Sequence, residues 1–388
     1  MKIEPFGVEM WMNAHETTCT FNLAETCVAA MSLADLFTLI GQADGPWAGL
    51  ETMPMTYGDI FGSPRLRQAI AALYALRGPE DVIVTHGTIG ANDLAWRALV
   101  GPGDHVVSFV PTYQQHVSIP RSLGAEVTEL PLTEGQNWLP DLTALRAALR
   151  SDTKVVAFTN PNNPTGALMP PETLRAVVTV AEAVGVTVLA DEVYRGTAQV
   201  GSGWTESAAD LSDRVVVTSG MSKAFSLAGL RLGWVTGPAD VLARVASHRD
   251  YTTISVGRLD DHLAALALER SDAILARSCA ITRRHLAILA DWVNAEPRVT
   301  WVKPRAGTTA LLRYDAAVGS EAFCRDLLAQ TGVLLVPGAV MGMEGHVRLG
   351  FANTQADLRE GLPRISAFLA TLPRKSDTTA QASGASTL

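Results

Sequence analysis

Lys223 stands in the run Ser222-Lys223-Ala224-Phe225-Ser226-Leu227-Ala228-Gly229-Leu230-Arg231-Leu232-Gly233, in a chain with only five lysines among 388 residues. A lysine just past an expected strand, followed eight residues later by an arginine and closed by glycines, suits a phosphorylated aldehyde. The amine forms a Schiff base and the guanidinium pairs with the phosphate. Gly87-Thr88-Ile89 is a second phosphate candidate. It opens an expected helix with Ala91, Leu94, Ala95 and Leu99 on one side, and a helix start offers free N–H groups and a favourable dipole. Asp191, in Ala190-Asp191-Glu192-Val193-Tyr194-Arg195, is by itself also readable as a helix cap at a strand end. Asn160-Pro161-Asn162-Asn163-Pro164-Thr165-Gly166 is a turn-forming run with two Asn-Pro pairs beside another strand end.

The elements that must position these residues are those of a parallel α/β sheet with helices on both faces. Strands are expected over Asp81–Thr85, His105–Val110, Lys154–Thr159, Val186–Ala190, Arg214–Thr218 and Leu232–Thr236. Several lack clean alternation, as strands covered on both sides do. The candidate residues gather at their C-terminal ends, the edge along which open α/β sheets bind ligands. The first clear helix starts at Ser63-Pro64, with Leu66, Ile70 and Leu73 on its apolar face. One long helical period runs from Asp260 to Val293, and a last helix lies near Gln355 to Leu372. The expected division is an arm and part of a small domain over 1–40, a large α/β domain over 41–258, a smaller α+β C-terminal domain over 259–374, and a disordered tail over 375–388.

Composition narrows the class. Apolar residues make up 47% and charged residues 18%, the profile of a globular protein with a large core. The net charge of −8 is spread without a basic stripe, which argues against a nucleic-acid partner. No apolar run is long enough to span a membrane, and Met1 to Trp11 lacks the apolar core of a signal peptide. Four scattered cysteines without a C-x-x-C pair read as reduced thiols of a cytoplasmic protein, and no metal site is expected.

Taken together and in order, these motifs resemble the fold-type-I pyridoxal-phosphate enzymes of the class I/II aminotransferase superfamily, over about residues 30 to 370. The resemblance implies pyridoxal 5'-phosphate held by Lys223, with Asp191 on the pyridine nitrogen to keep the ring an electron acceptor. Tyr194 and Asn163 then meet the ring oxygen, and Tyr113 stacks on the ring face. Gly87, Thr88, Ile89, Ser222 and Arg231 hold the phosphate. Tyr57, in Tyr57-Gly58-Asp59-Ile60-Phe61-Gly62, corresponds to a tyrosine that reaches the neighbouring subunit's phosphate, which implies a homodimer with shared active sites. Arg348, in His346-Val347-Arg348-Leu349-Gly350-Phe351-Ala352, matches the arginine that grips the substrate α-carboxylate. The implied base is the Lys223 amine, which takes the Cα proton if the site lowers its pKa.

The sequence departs from this pattern at two places. Gly220 stands where many members have a serine or threonine that helps bind phosphate. Phe21-Asn22-Leu23-Ala24-Glu25-Thr26-Cys27 replaces a glycine-containing turn near the substrate, so either a carboxylate or thiol of this segment touches the substrate side chain or Glu25 is a solvated or capping residue. Arg249-Asp250-Tyr251-Thr252-Thr253 and Pro304-Arg305-Ala306-Gly307-Thr308-Thr309 look similar to capreomycidine synthases, pyridoxal-phosphate enzymes of antibiotic biosynthesis that eliminate and cyclise. Arg249 and Arg258 are alternative readers of a distal carboxylate. The leading expectation is an aminotransferase acting on an L-amino acid. The alternative is a lyase or tailoring enzyme performing C–S β-elimination, cyclisation, or decarboxylative or oxidative deamination.

Overall fold

The computed structural model describes residues 2–42 and 50–375. The N-terminal arm comprises α1 (Gly7–His15), β1 (Phe21–Asn22) and α2 (Leu33–Leu39), and leads to α3 (Pro64–Ala71). A seven-stranded sheet follows: β2 (Val82–His86), β3 (His105–Val110), β4 (Glu126–Pro131), β5 (Thr153–Thr159), β6 (Thr187–Asp191), β7 (Val215–Gly220) and β8 (Leu232–Thr236). Its order is β2-β8-β7-β6-β5-β3-β4, and β8 alone runs against its neighbours. Between the strands lie α4 (Gly87–Leu99), α5 (Gln115–Ser122), α6 (Leu142–Ala148) and α7 (Pro171–Glu182).

Successive side chains along these strands feed two different cores. Val82, Val107, Val156, Val188 and Val215 pack with α3, α6 and α7, whereas Ile83, Val106, Val155, Leu189 and Val216 pack with α4 and α5. Both sheet faces are thus dry, which explains the uninterrupted β-branched runs. Strand β4 was not expected. It sits at the sheet edge with Glu126 exposed, so its apolar signal is thin.

Beyond the sheet come α8 (Ala239–Arg249), α9 (Arg258–Leu268) and α10 (Ser271–Ala295). The single helical period expected from Asp260 to Val293 is two helices, broken at Glu269-Arg270. The break lets α9 lay Leu263 and Leu266 on the large core while α10 turns away. At 25 residues α10 is about 37 Å long, and its Ile274 and Leu275 still touch the large core. Farther along, Leu286, Leu289 and Val293 belong to another one.

That other core is built on an antiparallel sheet of β9 (Val299–Trp301), β10 (Thr309–Tyr314), β12 (Val336–Pro337) and β13 (His346–Gly350), with α11 (Ser320–Thr331) and α12 (Gln355–Thr371). Strand β11 (Val333–Leu334) pairs in parallel with β1. Val8, Trp11 and Met12 of α1 and Leu23, Ala24 and Val28 after it are also part of this core. Helix α1 precedes the first helix expected at Ser63-Pro64, although Val8, Trp11 and Met12 carry the i, i+3, i+4 spacing of a helical face. We propose that this core defines the smaller domain and that the N-terminal arm is part of it. The expected disordered tail lies, apart from Lys375, outside the described residues.

Candidate active site

The C-terminal ends of β5, β6 and β7, the start of α4 and the N-terminal arm enclose a cavity of about 280 Å³. Lys223, Asp191, Tyr194, Asn163, Tyr113, Thr88, Ile89, Ser222, Arg231, Arg348 and Glu25 all line it. Those residues span more than 300 positions of chain, and only the fold brings them together.

Asp191 is the last residue of β6 and is 3% exposed. Its Oδ2 accepts from Asn92 Nδ2 at 2.9 Å and faces His116 Nε2 at 3.4 Å, while Oδ1 accepts from the Val193 N–H at 3.1 Å. The Thr218 hydroxyl in turn donates to Asn92 Oδ1 at 2.6 Å, so the amide cannot rotate freely. No helix starts at Asp191, so it caps none; it is a buried carboxylate aimed at the cavity. Sequence reading missed Asn92 and His116. Asn92 lies one turn beyond Thr88 on α4, the one signal that marked it.

Lys223 Nζ donates to Thr26 Oγ1 at 2.6 Å and lies 3.5 Å from Cys27 Sγ and 4.0 Å from Glu25 Oε1. Burial by itself would lower the lysine pKa, but the acidic groups of Cys27, Tyr194 and Glu25 outweigh it and hold the ammonium above the usual range. The lowered pKa expected of a base is therefore not a property of the protein groups alone. Burial pushes the Cys27 thiol up to about 11. Glu25 moves the other way: burial opposes its charge, yet Lys223 and the N–H groups of Thr26 and Cys27, at 2.6 and 2.7 Å, keep it below the ordinary carboxylate value.

Arg348, on β13, is 4% exposed. Its Nη1 donates to Asn163 Oδ1 at 3.3 Å and its Nη2 to the Ala24 carbonyl at 3.2 Å, while Nε has no partner. Burial lowers its pKa. Tyr113 donates its hydroxyl to Glu9 Oε1 at 2.7 Å. The Tyr194 hydroxyl is bonded to the Thr26 side chain, so Thr26 joins Tyr194 to Lys223.

The departure at Gly220 has a steric cause. A Cβ there would run into Thr88 Oγ1 and the Leu232 carbonyl, so the Thr88 side chain fills the place a residue at 220 would take. The Thr88 hydroxyl is buried and without a partner. Gly87, at φ +66, lets α4 begin beneath the Arg231 guanidinium; Arg231 itself adopts φ 50 and remains exposed. Three expected residues lie elsewhere. Tyr57 is 70% exposed and, with Arg258, lines a separate hollow. Arg249 is buried beneath Phe61, donating to the Val84 carbonyl at 3.2 Å. Neither arginine lines the main cavity of its own chain.

The chain is similar to a PLP-dependent aminotransferase structure from Streptococcus suis, with 39% identity and a TM-score of 0.92 over 97% of this chain and 100% of that one. A PLP-dependent cyclase structure superposes with a TM-score of 0.88 at 31% identity, covering 95% of this chain and 98% of the cyclase. The capreomycidine synthase of Streptomyces vinaceus is 34% identical over 326 residues, 84% of each chain. Pyridoxal 5'-phosphate, the cofactor these relatives imply, fits the residues present. The unpartnered Thr88 hydroxyl and the open start of α4 face Arg231 at one end, and the hydrogen-bonded Asp191 lies at the other. Residues 42–365 match the aminotransferase class I and II family model, and the chain belongs to that family of pyridoxal-phosphate-dependent enzymes.

Proposed function

We propose that the protein is an aminotransferase that removes the amino group of an L-amino acid through the Lys223 amine. The observation that carries this is the convergence of Lys223, Asp191 and Arg348 on one cavity. When bound, pyridoxal phosphate supplies an electron sink that makes the Cα–H bond acidic. The protein groups do the rest. Arg348 holds the α-carboxylate and so fixes which Cα bond faces the ring plane. Lys223 takes the Cα proton and returns one, and Thr26 orients its nitrogen. Asp191, kept in place by Asn92, would keep the ring nitrogen protonated. With the cofactor bound, Tyr194 and Asn163 would hold its ring oxygen, Tyr113 would cover a ring face, Gly87, Thr88, Ile89 and Ser222 would hold the phosphate, and Arg231 would neutralise its charge.

A second reading is a lyase or natural-product tailoring enzyme. It is supported by the Glu25-Thr26-Cys27 segment against Lys223 and by the likeness to a capreomycidine synthase and a cyclase. The two separate by products when amino acids are added without any oxo acid. One equivalent of 2-oxo acid per site with no ammonia supports transamination; ammonia accumulating over many turnovers supports elimination or deamination and refutes it.

The working unit we propose is a homodimer in the cytoplasm. Met55, Tyr57, Tyr251, Ile254 and Leu259 are exposed apolar residues that a second copy would cover, and the Ser255 hydroxyl ties their two segments together by bonding the Tyr57 carbonyl at 3.1 Å. The four cysteines are free, in keeping with a reducing compartment, and no described helix is long and apolar enough to cross a membrane.

A further inference from the structure

The cavity wall opposite the strand ends is acidic, and neither the cofactor nor the α-carboxylate gives it a ligand. Val8, Met12 and Glu16 follow one another at successive turns along one face of α1 and its C-terminal end, with Glu9 beside them. Glu25 joins from the segment after β1, and all five residues line the cavity. Glu16 is pushed above the ordinary carboxylate value by burial, then by the negative charges of Glu25 and Glu9 and by a side-chain hydrogen bond with Glu25. Among the described residues no lysine, arginine or histidine lies within ion-pair distance of Glu9 or Glu16, whereas Glu25 faces Lys223 at 4.0 Å.

The same cavity holds a group that points to a ligand of the opposite sign. Arg348 is 4% exposed, and its Nε is buried without a hydrogen-bond partner. A buried guanidinium with an unused donor calls for an anion, and a carboxylate fork fits it. The cavity therefore has a cationic end on the small sheet and an anionic wall on the arm, with the apolar Val8 and Met12 beside the acids.

We infer that the substrate is an L-amino acid whose side chain is a methylene stem ending in a cation, an ammonium or a guanidinium. Its carboxylate goes to Arg348, its stem lies along Val8 and Met12, and its cation is met by Glu16 and Glu9. The Tyr113 hydroxyl occupies one oxygen of Glu9 at 2.7 Å and holds that carboxylate at the wall; its second oxygen has capacity for a donor. A side chain ending in a carboxylate would instead meet three carboxylates. Among the described residues, the only arginines lining the cavity are Arg231 and Arg348. The inference rests on the proposed role of Arg348 and adds the substrate class.

The test uses the holoenzyme with pairs of equal shape and different charge: L-arginine against L-citrulline, and L-lysine against L-norleucine, with L-aspartate as the anionic control. Cofactor absorbance reports binding, and 2-oxo acid and ammonia are measured separately. The expected result is kcat/KM at least about 10-fold higher for arginine than for citrulline, with aspartate the poorest. Glu16→Gln should collapse the arginine-to-citrulline ratio, and Glu9→Gln should lower it less. Because the ratio is taken within each variant, a general loss of folded protein leaves it unchanged. Neutral amino acids used as well as basic ones, or a ratio unaltered in both variants, overturns the inference while leaving transamination standing. Selective release of ammonia from basic amino acids keeps the inference and removes the aminotransferase reading. No response to any amino acid overturns both.

Discussion

The two walls of the cavity are made in different ways. On the strand-end wall Asp191 is fixed by Asn92 of α4, which is itself fixed by Thr218 of β7, so two neighbouring strands and a helix packed on them hold one carboxylate. The groups are buried and their partners are side chains and backbone that no substrate displaces. On the arm wall Glu9 and Glu16 stand on and just beyond a nine-residue helix, partly open to solvent, and Glu25 is curled over its own neighbours' N–H groups. The chemistry common to many substrates is thus built where backbone topology allows little change. The selectivity we propose is built on an element whose polar side chains can be replaced without disturbing the sheet.

The largest effect on this comparison should come from Lys223→Ala. Turnover should fall by about 1,000-fold or more, with cofactor still bound and the circular dichroism unchanged; turnover at the normal rate would refute the assignment. Asp191→Asn should come next. Loss of the carboxylate charge should lower kcat on the order of 100-fold, with the loss seen equally for every amino acid, since this wall does not read side chains.

Arg348→Ala acts between the walls. It should raise KM by about 10- to 150-fold, the worth of a hydrogen bond to a charged group of about 1.5–3 kcal/mol, and an unchanged KM would remove Arg348 from the α-carboxylate. Thr26→Val cuts the contact that joins the arm to Lys223 and Tyr194. A loss of about 2- to 10-fold in kcat is expected, together with a shifted pH profile, and a change in KM alone would make Thr26 a merely structural neighbour. The smallest effect concerns Cys27, whose thiol is held up at about 11. Since only the thiolate reacts, its alkylation in cofactor-free protein should climb about tenfold per pH unit through mildly alkaline pH, read as the difference from Cys27→Ser. A rate already saturated at neutral pH would mean a thiolate there.

The strand-end wall was legible before any coordinates because its residues follow their strands directly. Asp191 closes β6, Gly87 follows β2, and Lys223 lies three residues past β7. Near-continuous apolar runs announced the strands, and turn residues announced the ligand edge. The arm wall was legible only at Glu25. Glu9 lies on α1, a short helix without a side-chain cap, and Glu16 just beyond it, and their relevance depends on which face of the helix docks. Asn92 was hidden for a related reason, since a polar residue inside a helix carries no sign of what it will meet across a sheet edge.

The sequence by itself determined the α/β class, most strands of the large sheet, the cofactor-bearing motifs and their family, because those signals are local: periodicity, turn residues and the spacing of Lys223 from Arg231. Tertiary structure alone decided that Thr88 fills the space beside Gly220 and that Arg249 and Arg258 stay out of the main cavity. It also decided that Val8, Met12 and Glu16 line the same cavity as Lys223. Each of those depends on contacts between residues more than 100 positions apart. Such contacts are set by the packing of whole elements against two separate cores, which no local pattern encodes.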